Sequence, residues 1–232
     1  MARVLVLRAE AEAATTAKTL AARGHMPLLL PLQEIVTFDA ALPEESFAGV
    51  LVTSANAVPA LENHPGLKAL PALAVGERTA SALRSAGFAD VTVGEGDGAA
   101  LAEAARPLAS RARLPLLYAA GKVRTAGLET RLAELGVPFR VIEVYDTKPL
   151  HPGLKQIATV LGGKAPDVVL LLSVGQAEGY AMLVESWPAC FLPPPRLLCL
   201  SARIAASLPM ELRRSAEISA TSSLAALFER DL

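Results

Sequence analysis

Short apolar runs alternate with Ala-rich helical segments along most of the chain. The first apolar run covers residues 3–7, a helical segment covers 10–23, and a second apolar run covers 26–30. The same rhythm returns twice further along and predicts a closing helix at 222–230. Continuous apolar runs are typical of strands buried on both faces, and their alternation with helices of about 10–15 residues favours parallel sheets. The sequence therefore predicts the α/β class.

Two extended runs interrupt this rhythm, at 32–38 and at 141–149. The second contains Val144 and Tyr145, residue types that favour an extended chain, and a proline ends it. We interpret the two runs as the two passes of the chain between two domains. Tyr145 is then expected at the mouth of the cleft between those domains.

Segments of the chain resemble one another in pairs. Segment 20–27 resembles 132–138, with Leu5 and Leu117 the same distance upstream, 75–83 resembles 200–208, and 53–57 more weakly resembles 172–176. Any two α/β units rich in Ala and Leu look alike, but the consistent arrangement of the pairs favours a duplication. One domain is then split over 1–31 plus 150–232 and the other is inserted at 39–140. The runs 32–38 and 141–149 become linker strands.

Composition and charge argue against several classes of protein. The net charge of −1 is unlike that of nucleic-acid-binding proteins, which carry a basic stripe. No apolar run approaches the roughly 20 residues of a membrane span, and the chain starts with a strand rather than a signal peptide. Cys190 and Cys199 are isolated thiols, and the scattered histidines give them no metal-ligand spacing. We expect a cytoplasmic protein without a metal, a membrane or a nucleic-acid partner.

Small and hydroxylic residues stand at the predicted carboxyl ends of the strands, each before a helix. Ligands of open parallel sheets bind beyond those ends, where helix N-termini offer free N–H groups to carboxylate or phosphate. The residues are Thr53, Ser54, Gly76, Gly121, Ser173 and Ser201, with Arg8, Arg78, Lys122, Arg124 and Arg203 as nearby cations. For any single one of these residues, the needs of a tight turn or an N-cap are the better explanation. As a set they predict a site for a ligand with many acidic groups.

Other motifs give weaker signals. Gly94-Glu-Gly-Asp-Gly98 lacks the spacing of a dinucleotide loop and the Gly-Lys-Ser/Thr ending of a phosphate loop. Its acidic residues would repel phosphate, so we interpret it as a loop and helix start. The sequence shows no Ser/His/Asp set, no pair of catalytic carboxylates and no context for a Cys nucleophile.

Over essentially its whole length the chain resembles the uroporphyrinogen-III synthase family. The resemblance rests on Val52-Thr-Ser-Ala-Asn-Ala-Val58, Ala74-Val-Gly-Glu-Arg-Thr-Ala80, Leu117-Tyr-Ala-Ala-Gly-Lys-Val-Arg124, Val144-Tyr-Asp-Thr147 and a strand–Ser junction at Ser173. Two segments depart from the family pattern, because Ser201-Ala-Arg-Ile204 lacks a hydroxyl near Ile204 and Leu7-Arg8-Ala9 replaces a Thr-Arg-Pro-like start. Both departures affect side-chain contacts of the split domain rather than backbone contacts.

The resemblance implies two flavodoxin-like parallel-sheet domains joined by a two-stranded linker. It implies a cofactor-free cyclisation of hydroxymethylbilane, a linear tetrapyrrole with many carboxylates, to uroporphyrinogen III, with loss of water and inversion of ring D. By resemblance, Tyr145 would assist departure of the hydroxyl group. Substrate carboxylates would be bound by Thr53, Ser54, Gly76, Thr79, Gly121, Lys122, Arg124, Ser173 and Ser201.

Two other functions fit parts of the sequence. A non-enzymatic two-domain binding module for a polycarboxylate would present the same strand ends, although the chain lacks the DNA-binding segment of a regulator. A nucleotide-using enzyme would need the phosphate motif that is missing. We expect a monomer, because no extended apolar face stands out, with transient contact to the enzyme that makes hydroxymethylbilane.

Overall fold

The computed structural model describes residues 1–219 and 227–228, so most of the helix predicted at 222–230 lies outside the described residues. The chain divides into two compact units. The split unit comprises Met1–Glu34 and Lys148–Leu232, and the inserted unit comprises Ile35–Thr147. Both boundaries fall inside the extended runs of the sequence.

Strands and helices alternate along the chain. The first half contains β1 (Arg3–Val6), α1 (Glu10–Ala22), β2 (Met26–Leu29), β3 (Gln33–Thr37), β4 (Gly49–Val52), α2 (Val58–Leu61), α3 (Pro65–Lys68), β5 (Ala72–Ala74), α4 (Glu77–Ser85), β6 (Val91–Val93) and α5 (Gly98–Ala112). The second half contains β7 (Leu116–Gly121), α6 (Gly127–Glu134), β8 (Phe139–Pro149), α7 (Leu154–Leu161), β9 (Val168–Leu171), α8 (Val174–Ser186), β10 (Arg196–Cys199), α9 (Ala202–Ala206), α10 (Met210–Arg213) and β11 (Ala216–Ile218). Within the described part of the chain, no helix is both long and apolar enough to span a membrane.

Helix α7 is an element that the sequence pattern does not predict. It begins after Gly153 without a side-chain cap, directly behind Pro152, and this Pro-Gly pair is more typical of a turn. It ends at Gly162, whose φ of 60° is the left-handed conformation that glycine adopts readily at a helix end. Ile157 and Leu161, one turn apart, bury the helix against the core of the split unit.

Each unit is built on one sheet of five parallel strands. The order is β2-β1-β9-β10-β11 in the split unit and β8-β7-β4-β5-β6 in the inserted unit, where β3 adds to the edge at β8. Counted from β1, the split sheet has the flavodoxin-like order 2-1-3-4-5. The inserted sheet has the same order as a circular permutation, when the count starts at β7 and returns to β4 after β8. The predicted α/β class with two flavodoxin-like sheets is therefore confirmed.

The chain passes between the units in β3 and in β8, which are hydrogen-bonded neighbours. Leu150 N donates to Leu32 O at 2.8 Å, and Phe38 N donates to Val144 O at 2.8 Å. Between these two contacts the residue numbers rise along β3 and fall along β8, so the two strands are antiparallel. These two strands form the linker of the predicted fold.

The register of the strand pairs relates the two sheets residue by residue. Leu5 of β1 pairs with Val169, and Leu117 of β7 pairs with Val50, so Val169 corresponds to Val50. The next strand of each sheet follows in the same way, because Val169 pairs with Leu197 and Val50 pairs with Ala72. Counting onward along the strands gives three correspondences: Leu5 with Leu117, Leu172 with Thr53, and Leu200 with Val75. These are the pairs that the internal repeats of the sequence indicate.

Both faces of the inserted sheet are covered by apolar side chains. Successive residues of β4 point to opposite faces, as in any strand. Val50 and Val52 pack with residues of α2 and α4, whereas Leu51 packs with residues of α5 and α6. Tyr118 of β7 lies on the same face as Leu51. Residues on that face reach the carboxyl end of the sheet beneath α5 and α6.

Gly49, the first residue of β4, is the tightest point of this packing. A Cβ there would lie 2.6 Å from Leu108 Cδ2 and 2.7 Å from the carbonyl oxygen of Pro71. Because that oxygen belongs to the backbone, we expect Gly49→Ala to lower the free energy of unfolding by about 1–3 kcal/mol. Urea unfolding followed by far-UV circular dichroism measures the change. Gly66→Ala is the matched control, since nothing lies within 4 Å of a Cβ at Gly66. An equal loss in both variants would contradict the prediction.

Candidate functional site

A cavity of about 500 Å³ opens at the carboxyl end of the inserted sheet. Four residues singled out in the sequence line it, Thr53, Ser54, Arg124 and Tyr145, together with Tyr118 and Asp97. Thr53 follows β4 and Arg124 follows β7, and these two strands are neighbours. Counted from β7, they are strands 3 and 1 of the flavodoxin-like order, the switch point at which such sheets bind ligands. The fold alone therefore favours this cavity as the site.

Tyr145 lies directly against Gly121, the last residue of β7. A Cβ on Gly121 would lie 2.6 Å from Tyr145 Cζ and 2.8 Å from its hydroxyl oxygen. Only glycine leaves room for the ring at this distance. The pairing of β7 with β8 shifts register here, so that Ala120 faces Glu143 but Gly121 faces Tyr145. Such irregularities re-aim side chains near active sites, and this one places Tyr145 beside the glycine.

The loop after β7 is fastened to β8 through its backbone and through Arg124. Lys122 N donates to Tyr145 O at 2.8 Å, while the Lys122 side chain is exposed. Arg124 Nη1 donates to Gly121 O at 3.0 Å and to Glu143 Oε1 at 2.9 Å. Arg124 therefore links the end of β7 to the strand that carries Tyr145.

Arg124 also forms a second ion pair, in which its Nε lies 2.6 Å from Glu129 Oε1 on α6. The hydrogen bonds to Glu129 and Glu143 raise the pKa of the guanidinium, so it stays charged. Two carboxylates already neutralise this charge. Among the described residues, Nη2 of Arg124 has no hydrogen-bond partner and is the part left for a ligand.

Tyr118 and Thr53 form a hydroxyl pair in the cavity wall, with 2.9 Å between their oxygens. Tyr118 is buried and Thr53 is half-buried. Burial raises the pKa of Tyr118, and the hydrogen bond with Thr53 offsets this in part. The phenol is therefore neutral near pH 7. Sequence reasoning gave Tyr118 no role, because a tyrosine in mid-strand looks like a core residue.

The serines singled out in the sequence cap the N-termini of helical segments. Ser54 Oγ accepts from Asn56 N at 3.2 Å, Ser173 Oγ from Gln176 N at 3.3 Å, and Ser201 Oγ from Ile204 N at 3.4 Å. A hydroxyl that accepts one hydrogen bond can still donate its own hydrogen. Ser173 and Ser201 follow the adjacent strands β9 and β10, so the split unit also presents two hydroxyls at the carboxyl end of its sheet.

Gly76 and Thr79 lie at the start of α4, behind β5. Gly76 is the extended N-cap of that helix. Thr79, in its first turn, is only 5% exposed. Neither lines the cavity, although the neighbouring Val75 does. The structure thus brings Thr53, Ser54, Gly121, Arg124 and Tyr145 together and sets Gly76 and Thr79 one strand away.

Asp97 has a structural task at the rim of the cavity. Its Oδ1 accepts from Ala100 N at 2.7 Å and caps α5, which agrees with the predicted loop and helix start. The wall therefore combines hydroxyl groups with one carboxylate that caps a helix, and the carboxylates of Glu129 and Glu143 are paired to the lining residue Arg124. In residues 1–219 and 227–228, no three His, Cys, Asp or Glu side chains are grouped to hold a metal ion. The arrangement can donate hydrogen bonds to oxygen atoms of a ligand.

Comparison with known proteins gives a consistent result. Residues 14–229 match the model of the family described as uroporphyrinogen-III synthase HemD. The crystal structure of uroporphyrinogen-III synthetase from Helicobacter pylori 26695 is similar, with a TM-score of 0.68, 22% identity, and coverage of 99% of this chain and 97% of that one. A mutant uroporphyrinogen III synthase from the extremely thermophilic bacterium Thermus thermophilus has a TM-score of 0.51, 20% identity, and coverage of 99% and 96%. No curated protein matches the chain.

Proposed function

Because the chain belongs to the uroporphyrinogen-III synthase family, we propose that it cyclises hydroxymethylbilane to uroporphyrinogen III. The reaction removes the terminal hydroxyl of the linear tetrapyrrole as water. Ring D then inverts through a spiro intermediate, and the macrocycle closes as the type III isomer. Without an enzyme, ring closure gives the type I isomer. The protein must therefore hold the bilane in the conformation that favours inversion, which is a positioning effect.

The observation that carries this proposal is the placement of Tyr145 in the switch-point cavity, fixed against Gly121. In our proposal the Tyr145 hydroxyl donates a hydrogen bond to the leaving hydroxyl of the substrate. As the carbon–oxygen bond breaks, this bond stabilises the charge that develops on the departing oxygen. Tyr145 assists the departure rather than being absolutely required for it, so the reaction should slow rather than stop without its hydroxyl.

We further propose that the substrate carboxylates are held at the carboxyl ends of the strands. In the inserted unit, Thr53, Ser54, Gly121 and Lys122 would bind them, and Arg124 would contribute through Nη2. Gly76 and Thr79 would act through the N-terminus of α4 and its dipole, since the Thr79 side chain is buried and its N–H already donates to Gly76 O at 3.1 Å. In the split unit, Ser173 and Ser201 would donate from their helix caps. Hydroxyls and backbone N–H groups suit carboxylates without adding charges that must be buried.

A coupled assay tests the proposed reaction. Hydroxymethylbilane is generated enzymatically, the protein is added, and the oxidised products are separated into type I and type III isomers. We expect predominantly type III. Product that stays type I at every protein concentration would refute the synthase activity and would leave a polycarboxylate-binding module as the function to test.

Replacing Tyr145 by phenylalanine tests the leaving-group role. The ring stays against Gly121, so we expect folding to be unchanged. We expect kcat to fall about tenfold, roughly the effect of losing one hydrogen bond in the transition state. Single-turnover kinetics in the coupled assay measure this. A kcat equal to that of the original protein would show that the hydroxyl takes no part.

We also propose that the enzyme works as a cytoplasmic monomer without a cofactor and receives its substrate by transient contact with the enzyme that makes it. The chemistry supports the last step, because free hydroxymethylbilane closes spontaneously to the wrong isomer. The share of type I product should then be smaller than the share calculated for free diffusion from the rate of spontaneous closure and from the kcat/KM of this protein for added bilane. A measured share equal to the calculated one would argue for free diffusion of the bilane.

A further inference from the structure

We infer that Tyr118 is a positioning residue for this reaction, whose hydroxyl makes Thr53 a hydrogen-bond donor toward a carboxylate of the substrate. This inference rests on the proposed function and adds a residue to its site. Tyr118 itself is buried in the wall and acts through Thr53, which lines the cavity.

The strand register explains how a tyrosine in mid-strand reaches the site. Tyr118 pairs with Leu51, so Thr53, two residues further along the chain and directly after β4, lies diagonally ahead of it on the same face. The ring packs among core residues such as Leu128 beneath α5 and α6. Its hydroxyl emerges at the carboxyl end of the sheet, 2.9 Å from Thr53 Oγ1. The side chain thus spans from the core to the cavity.

The direction of this hydrogen bond decides what Thr53 can do. If Thr53 donates to Tyr118, only its lone pairs face the cavity, and these repel a carboxylate. If Tyr118 donates, the hydrogen of Thr53 is free for a substrate oxygen. The raised pKa of Tyr118 keeps the phenol protonated and able to donate. An anionic ligand held at Thr53 selects the second arrangement, because only that one turns the hydrogen of Thr53 toward the ligand.

The split unit shows that the fold does not require this pair. The register places Val6 where the inserted unit has Tyr118, and Leu172 where it has Thr53. Val6 is fully buried in an apolar cluster, and Leu172 packs against the same cluster. Equivalent strands therefore pack well with no hydroxyl at either position. The pair in the inserted unit is a local feature of its cavity rather than a need of the sheet.

A double-mutant cycle with Tyr118→Phe and Thr53→Val tests the inference in the full-length protein. We expect Tyr118→Phe to raise KM roughly tenfold with little change in kcat, since it weakens a contact made equally in the ground and transition states. In the Thr53→Val background, Tyr118→Phe should change KM less than twofold. Residues that act as one unit show such non-additivity. If the factors by which the two substitutions raise KM multiply in the double variant, the inference is overturned. An unchanged KM in Tyr118→Phe would overturn it as well.

Tyr180→Phe is the matched control for loss of a buried tyrosine hydroxyl. Tyr180 is also almost fully buried, but it lies in the core of the split unit, edge-to-face with Phe191. The KM of Tyr180→Phe should equal that of the original protein. A tenfold rise of KM in Tyr180→Phe would show that the effect of Tyr118→Phe is not specific to the cavity.

The original protein is assayed alongside for type III product. If it forms only type I, the proposed function fails, whereas a normal product with an additive cycle overturns the role of Tyr118 alone.

Discussion

Gly121→Ala is expected to lower kcat/KM for type III formation about 100-fold while the protein stays folded. The added Cβ would lie 2.6 Å from Tyr145 Cζ and 2.9 Å from its Cε2, closer than carbon atoms approach. The half-buried ring borders a cavity, so it can swing aside instead of forcing the backbone apart. Misplacing the hydroxyl removes its roughly tenfold contribution, and the displaced ring occupies part of the cavity that the substrate needs, which accounts for the further loss.

The cost to stability should be small for the same reason. Overpacking an enclosed core costs about 1–3 kcal/mol, and we expect Gly121→Ala to lie below that range because the cavity takes up the displaced ring. Gly66→Ala serves again as the control, with normal activity and stability. Combining Gly121→Ala with Tyr145→Phe should lose hardly more activity than Gly121→Ala alone. If the losses of activity in Gly121→Ala and Tyr145→Phe multiply in the double variant, Gly121 does not act through Tyr145.

This prediction changes the role that the sequence indicates for Gly121. The resemblance places it among backbone contacts to carboxylates, and we still propose such contacts at this strand end. The structure adds that Gly121 leaves room for a side chain 24 residues away along the chain. A one-residue shift in strand pairing creates this contact. The sequence does not reveal a bulge of this kind, so the packing of Tyr145 could not have been predicted.

The strands were more predictable than the site because their pattern is local. The repeats pair Leu5 with Leu117 and Val75 with Leu200, and the strand register reproduces both pairs. Buried parallel strands need apolar runs of fixed length between helices, which the sequence displays directly. The hydroxyl pair of Tyr118 and Thr53 depends instead on which two strands become neighbours. Such a contact follows from the topology rather than from any local motif.

The ion pairs of Arg124 could not be predicted from the sequence either. From the sequence it is a cation near a strand end, free to bind a carboxylate. Its partners Glu129 and Glu143 stand on separate elements, α6 and β8, and only the fold brings all three together. The arginine therefore compensates two negative charges beside the cavity. We therefore expect its largest effect on a polycarboxylate substrate to come from that compensation.

Arg124→Met should accordingly raise KM about 10- to 100-fold, the range by which the field of a charged cleft changes local substrate concentration and association. The substitution leaves Glu129 and Glu143 unpaired beside a cavity that must receive a polyanion, and it frees the Gly121 carbonyl. Since the three side chains are partly exposed, we expect stability to fall by only about 1 kcal/mol. Raising the salt concentration to about 1 M, where the Debye length is about 3 Å, should remove most of the difference in KM.

Arg131→Met provides the matched control, because Arg131 also pairs with two glutamates, Glu103 and Glu134, but does not line the cavity. It should leave KM unchanged at every salt concentration. Adding Glu129→Gln and Glu143→Gln to Arg124→Met should restore most of the KM, because the neutral amides no longer repel the substrate and only the contact through Nη2 stays lost. If KM stays high in that triple variant, Arg124 contacts the substrate through its own charge, as the sequence first indicated. If KM recovers, the arginine serves the site by holding two carboxylates away from a substrate that carries many.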